Sequence, residues 1–210
     1  MAKRARRSHI FAKQRHGWYV EPPWVSARLF ETEWFGARSN SLICDPACGG
    51  GNILSSAADF GYRVIGFDVV DRFQRGDAMH AYYRKFDFLN GDKLPTRRTI
   101  TSIVTNPPYD YVREYCERAC QIATYKVAVV CLLRRLPAAH WLENLPLQTV
   151  YMLSPRPSMP PGEYIRAGHK PGGGTQDFVV LIFNKRMRDR PRYPRVGWLH
   201  RDGGDTRDFK

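Results

Sequence analysis

Asn106-Pro107-Pro108-Tyr109 is the stretch whose residue types point most directly to chemistry, and it closes the run Ile100-Thr101-Ser102-Ile103-Val104-Thr105. That run is short, rich in β-branched residues and bounded by breakers, which predicts a buried strand ending at the tetrapeptide. Two prolines there stop the ladder and hold the backbone extended. The Asn amide, its neighbouring carbonyls and an aromatic ring are then presented at a strand tip, where open α/β sheets bind their ligands. An exocyclic ring amine such as that of adenine has a delocalised lone pair and is a poor nucleophile. Two acceptors that take its two N–H hydrogens favour the pyramidal form and stabilise positive charge as the nitrogen attacks. A tyrosine beside them can stack on the flat base. A Pro-Pro turn that only ends a core strand would use the same residues.

A second stretch must be positioned with the first. Ser41-Leu42-Ile43-Cys44-Asp45 reads as a short buried strand, and it leads into Pro46-Ala47-Cys48-Gly49-Gly50-Gly51-Asn52-Ile53-Leu54. An apolar strand, a glycine turn and a helix start together let a ligand approach the backbone closely. This is not the dinucleotide fingerprint, which would need a third glycine at Leu54. Asp45-Pro46-Ala47-Cys48-Gly49 with Gly51, followed about fifty residues later by Asn106-Pro107-Pro108-Tyr109, resembles the S-adenosylmethionine-dependent amino methyltransferases that modify adenine N6 or cytosine N4. The likeness covers roughly residues 17–184 and implies a class I, Rossmann-like α/β fold.

The resemblance also implies roles. S-adenosylmethionine would be the cofactor, held by Asp45, Pro46, Ala47, Cys48, Gly49, Gly51 and Asn52, with Asn106 at its methyl end. Asn106 and the Pro107 carbonyl would orient and polarise the target amine, Pro108 would keep the strand tip extended, and Tyr109 would stack on the base. Tyr19, Glu21 and Pro22 are similar to an N-terminal element that lies over the methionine end of the cofactor. Phe86-Asp87-Phe88-Leu89 is similar to a third cofactor segment, in which Asp87 accepts from the adenine amine and Phe88 packs on its ring. Asp68 ends the predicted strand Tyr62–Asp68, where a carboxylate can accept both ribose hydroxyls or, alternatively, cap a helix.

The elements that carry these residues follow from pattern. A helix is predicted from Pro23 to Phe35, opened by proline and striped by Trp24, Ala27, Phe30 and Trp34. Another is predicted over Asn52 to Phe60, stopped by Gly61. Asp71 to Lys85 reads as loop or short helix, Asp110 to Thr124 as a helix, Lys126 to Leu133 as a strand and Leu136 to Asn144 as a short helix. Strands at Thr149–Leu153 and Asp177–Phe183 lie close together at the end. The alternation fits a mostly parallel seven-stranded sheet with a C-terminal antiparallel hairpin. Ser154 to Gln176, rich in Pro and Gly and carrying Arg156, Arg166, His169 and Lys170, is a long connection without structure of its own, a class usually functional or disordered. In the resembled family this region faces the flipped base.

Charge divides the chain into a basic arm 1–16, a domain 17–184 and a basic tail 185–210. Of the net charge of +13, the arm carries +6, the tail +5 and the domain +2. Basic ends on a nearly neutral domain suit sequence-independent phosphate contact, although solubilising tails would look the same. A composition of 43% hydrophobic and 25% charged residues is that of a globular protein, and neither a membrane span nor a secretory signal is expected. The five cysteines, at 44, 48, 116, 120 and 131, contain no C-x-x-C and have no accompanying histidine cluster. Reduced thiols in a cytoplasmic protein are expected rather than a metal site.

The motif order resembles the gamma arrangement of these methyltransferases without its large target-recognition domain, as in the small stand-alone adenine methyltransferases of phages and prophages. Asn at position 106, where cytosine-N4 members more often carry Ser, favours adenine. The expected partner is double-stranded DNA with a flipped adenine, and RNA stays open. Release-factor glutamine methyltransferases share the tetrapeptide but carry a helical N-terminal domain that 40 residues cannot hold. The remaining alternative is a nucleic-acid-binding subunit that kept the fold without catalysis.

Overall fold

Four buried strands with a strand tip at each functional motif form the centre of the computed structural model, which describes residues 17–72, 82–187, 189 and 192–203. β1 (Leu42–Asp45), β2 (Arg63–Asp68), β4 (Ser102–Thr105) and β5 (Lys126–Leu132) run parallel, with β3 (Tyr82–Lys85) added outside β2. Strands buried on both faces must be apolar along their length, which is why these runs are legible as continuous apolar stretches. β7 (Phe178–Asn184) lies antiparallel to β5 and to β6 (Leu147–Ser154), completing the expected C-terminal hairpin. With β8 at Arg195–His200, the sheet order is β3-β2-β1-β4-β5-β7-β6-β8.

Eight strands, not seven, make this sheet. β8 (Arg195–His200) pairs parallel with β6 from Thr149↔Arg195 to Ser154↔His200. The basic tail expected over 185–210 therefore contributes a strand, because Leu199 (0% exposed) is buried with Val25 and Leu29 of the first helix. β3 differs from expectation in the same way. Its sequence Tyr-Tyr-Arg-Lys is mostly exposed and has no alternating pattern, so only the backbone ladder to β2 makes it a strand. Residues 73–81 of the segment expected as loop or short helix, and the whole arm 1–16, lie outside the described residues.

Helices cover both faces. α1 (Pro23–Thr32) and α2 (Asn52–Asp59) bury Val25, Leu29, Phe30, Leu54 and Ala57 on one side, and α3 (Val112–Ile122) buries Val112, Cys116 and Ala119 on the other. Leu136–Asn144, expected as one short helix, falls in two 3-10 segments, Leu133–Ala138 and His140–Asn144, with Pro137 inside the first, and Leu133, expected to end the strand, opens that first segment. The Ser154–Gln176 connection is not structureless: α4 (Gly162–Arg166) sits in it. Just past the end of α1, Glu33 accepts from Lys126 Nζ at 2.5 Å and from the Tyr151 hydroxyl at 2.7 Å. Lys126 and Glu33 are both 8% exposed at the side chain, so the pair ties α1 to β5 and β6 in the interior.

All five cysteines are buried free thiols. Among the described residues, no cluster of three or more His, Cys, Asp or Glu is placed to hold a metal ion, and no helix is long and apolar enough to cross a membrane.

Candidate active site

The carboxyl ends of β1, β2 and β4 deliver Asp45, Asp68 and Asn106 to one pocket, beside the glycine turn between β1 and α2. Parallel strands end together on one edge of the sheet, so three motifs spread over sixty residues meet there. Gly49 (φ 51°) and Gly51 (φ 96°) shape the turn in the left-handed region. At Gly49 a Cβ would come within 2.5 Å of Trp18 Nε1, so both backbone conformation and space demand glycine.

The N-terminal segment closes the opposite wall. Val20 donates to the Pro160 carbonyl at 2.9 Å and Gly162 N–H to the Trp18 carbonyl at 3.1 Å, and Tyr19 bridges Pro161. This pins residues 18–20 across the connection before α4 and places Trp18, Tyr19 and Glu21 in the pocket wall. Two guanidinium groups lie within cation–π distance of the Trp18 indole, Arg72 at 5.0 Å and Arg166 at 4.9 Å from the ring.

Asn106 is 8% exposed, and the direction of its amide is defined by its neighbours. Its Nδ2 donates to the Tyr19 carbonyl and to Glu21 Oε2, both at 3.0 Å. Its Oδ1 is buried without a hydrogen-bond partner. An unpaired buried acceptor costs about 1–3 kcal/mol, and such a group at a strand tip marks a place where a donor belongs.

The carboxylates around it complete an acceptor-rich wall. Burial pushes Glu21 up to about 7, against the lowering effect of the Asn106 hydrogen bond. Burial likewise pushes Asp45 up to about 8, and the Glu21 and Asp68 charges add to the rise. Asp45 accepts from Ala47 N–H at 3.1 Å. Asp68 accepts from Gly49 N–H and Val70 N–H at 2.9 Å each and from Arg72 at 3.3 Å. With three of about four lone-pair directions used, Asp68 has room for one more donor, and a second requires Arg72 to move. Three carboxylates and an orphan amide oxygen select a ligand rich in N–H and O–H donors and positive charge.

Of the residues expected from sequence, Tyr19, Glu21, Asp45, Pro46, Ala47, Cys48, Gly49, Asn52, Asp68, Asn106 and Pro108 line this pocket. Pro22, Gly51, Pro107, Asp87, Phe88 and Tyr109 are not in its lining. Pro22 precedes α1 as its cap, and Gly51 sets the turn into α2. Asp87, expected at a cofactor adenine, is held by its own turn. It accepts from Leu89 N–H at 3.0 Å, Asn90 N–H at 3.1 Å and Asn90 Nδ2 at 2.9 Å, and the Asn90 side-chain bond lowers its carboxyl below the usual range. Phe88, expected on the same ring, is fully buried and stacks at 5.4 Å on Tyr115, which does line the pocket. Tyr109 stacks on Tyr19 at 5.6 Å and 14°, so one face of its ring is already covered. Its hydroxyl reaches Met159 Sδ at 3.4 Å, and burial raises the phenol well above its ordinary value, keeping it neutral.

Trp18, Arg72 and Tyr115 were not foreseen as lining residues. Trp18 immediately precedes Tyr19 and shared its signal; Arg72 stands four residues after Asp68, a spacing that suits an ion pair. Tyr115 carries no signal, because it falls on the buried stripe of α3 like any core residue.

No protein-family model matches this chain, and no curated protein matches it. Solved structures do resemble it. The methyltransferase subunit of a type I restriction-modification system from Streptococcus thermophilus superposes with a TM-score of 0.61 at 12% identity, over 90% of this chain and 48% of that one. This chain thus spans about half the length of that subunit. A TehB-like SAM-dependent methyltransferase from Corynebacterium glutamicum superposes with a TM-score of 0.51 at 17% identity, over 77% of this chain and 87% of that one. At these identities the likeness is one of fold: a Rossmann-like, class I methyltransferase architecture, on which many chemistries are built.

Proposed function

We propose that this chain is an S-adenosylmethionine-dependent methyltransferase acting on the exocyclic amine of a nucleic-acid base, with adenine N6 in DNA as the target. The observation that carries this reading is the buried, unpartnered Oδ1 of Asn106 at the tip of β4, facing away from two acceptors that hold its amide nitrogen. A primary amine on an aromatic ring is the donor that such an oxygen fits.

The wall of Glu21, Asp45 and Asp68 supports the cofactor. S-adenosylmethionine brings an ammonium, a sulfonium and two ribose hydroxyls, the donor-rich and cationic features that wall lacks, and when bound it supplies an activated methyl group. Asp68 would take a ribose hydroxyl, Glu21 and Asp45 would face the cationic end, and the Gly49 turn would let the ligand approach the backbone. Asn106 Oδ1 and the Pro107 carbonyl would each accept one N–H of the target amine, holding its lone pair toward the methyl and stabilising the charge that grows on nitrogen. The excess proton leaves to water, since an amide does not titrate. Tyr109 would stack on the base with the face not covered by Tyr19, which requires the base to leave the duplex.

Nucleic acid as partner is supported by the basic ends and by the restriction-modification subunit among the similar structures. Five buried thiols suit the reducing cytoplasm. The test is labelled methyl transfer from S-adenosylmethionine to unmethylated DNA, RNA and protein, with binding measured by calorimetry. N6-methyladenine in DNA is expected. Absence of S-adenosylmethionine binding to the purified chain would overturn the enzyme reading, and label in RNA or protein alone would reassign the substrate.

A further inference from the structure

We propose that Glu21 is a positioning residue for Asn106: its carboxylate, together with the Tyr19 carbonyl, holds the amide so that oxygen, not nitrogen, faces the reacting amine. The proposal rests on the function proposed above. It adds to the role the N-terminal segment was expected to have, which was to lie over the methionine end of the cofactor.

The two ends of an amide are nearly the same size, and a half-turn about its last bond exchanges them. For methyl transfer the two orientations are opposite in effect. Oxygen toward the substrate accepts an N–H and favours the nucleophile, whereas nitrogen toward the substrate meets two N–H donors with a third. Something must select the productive orientation. The ionised Glu21 Oε2 and the Tyr19 carbonyl oxygen, each 3.0 Å from Asn106 Nδ2, can only accept. Turning the amide over would lose both bonds, one of them charge-assisted, and would set Oδ1 against two oxygens. Glu21 reaches this position from 85 residues away because residues 18–20 are pinned by Pro160 and Gly162. Glu21 is itself 6% exposed, so water does not substitute for it.

The same arrangement makes the selection depend on ionisation. A protonated Glu21 can donate to Oδ1 and so support the reversed amide. The titratable groups coupled to Glu21 are Asp45 at the tip of β1 and the phenol of Tyr109. Burial pushes Glu21 up to about 7, against the lowering effect of the Asn106 hydrogen bond.

The test compares the wild type with Glu21→Gln. Glutamine keeps the shape and can either accept from or donate to the Asn106 amide, so it removes the bias and leaves the fold. The first measurement needs no turnover: the side-chain amide signals of Asn106, identified by their loss in Asn106→Ala, followed by nitrogen–proton NMR against pH. They are expected to exchange slowly and to shift with a midpoint near 7 in the wild type, and to lose that midpoint in Glu21→Gln. The second is single-turnover methylation at saturating S-adenosylmethionine. Glu21→Gln is expected to lower the rate at least about tenfold, the factor of one charge-assisted hydrogen bond, and to lose the acid limb of the rate profile. In the Asn106→Ala background it should have no further effect. Amide signals indifferent to Glu21→Gln would overturn the proposal. So would a raised cofactor requirement with an unchanged saturated rate, since Glu21 would then serve the cofactor directly. A wild type that transfers no methyl refutes the proposed function instead, while the amide signals still decide what Glu21 holds.

Discussion

Raising the pH of the ligand-free protein from about 5 to about 8 is expected to destabilise it, and Glu21→Gln is expected to remove part of the loss. Burial moves the Glu21 carboxyl from 4.5 up to about 7. Between those values the folded chain binds a proton at Glu21 that the unfolded chain has released. The contribution to stability is therefore fully present below the unfolded value and is lost as the pH rises through the folded one. At about 1.4 kcal/mol per pH unit, the Glu21 window amounts to roughly 3 kcal/mol. Asp45, raised from 3.8 to about 8, acts in the same direction over a wider window. Because the two carboxylates repel, their titration belongs to the pair. Denaturant unfolding of the wild type and Glu21→Gln isolates one member from the rest of the chain's charges. The variant should match the wild type near pH 5, within about 1 kcal/mol, and exceed it near pH 8. A difference that is the same at both pH values would mean that Glu21 titrates near its ordinary value, and the description of the pocket as a wall of buried acids would be wrong. By linkage, a cationic ligand that needs these groups ionised should protect the fold more at pH 8 than at pH 5.

Asn106→Ala should lower the single-turnover rate by about 10² or more with little change in cofactor affinity, because its oxygen acts as charge develops; a wild-type rate would reduce the tetrapeptide to a structural turn. Tyr109→Phe, which keeps the ring and loses the hydroxyl's contacts to Met159 Sδ and the Asn106 side chain, should be mild, whereas Tyr109→Ala should weaken productive base binding by roughly 1–3 kcal/mol. Lys126→Met leaves Glu33 buried with the Tyr151 hydroxyl as its remaining partner and should cost about 3–5 kcal/mol in thermal or denaturant unfolding; a change below about 1 kcal/mol would show that water reaches the pair. Removing residues 1–16, which carry +6, should weaken nucleic-acid binding across sequences and flatten its log–log salt dependence, each lost phosphate contact contributing a slope near −0.9. An unchanged slope would make the arm a solubilising tail.

What the sequence determined by itself was the set of strand tips. Leu42–Asp45, Ser102–Thr105 and Lys126–Leu132 are buried on both faces, so their apolar character is written in consecutive residues, and the glycine turn and the two prolines mark where the backbone must stop pairing. From those tips followed the sheet, the α/β class and a pocket holding Asp45, Asp68 and Asn106 together. The edges were not legible. Tyr82–Lys85 is mostly exposed and Arg195–His200 fully buries only Leu199, so the ladder each finds on a neighbour, more than its own pattern, makes it a strand. The partners inside the pocket were equally hidden. That Tyr19 covers one face of Tyr109 and that the Arg72 and Arg166 guanidinium groups both reach the Trp18 ring depend on side-chain directions between segments far apart in the chain. The orientation of the Asn106 amide belongs with them. Asparagine at a strand tip names the group, but which of its two ends faces the ligand is decided by a carboxylate 85 residues away, brought there only when the chain folds.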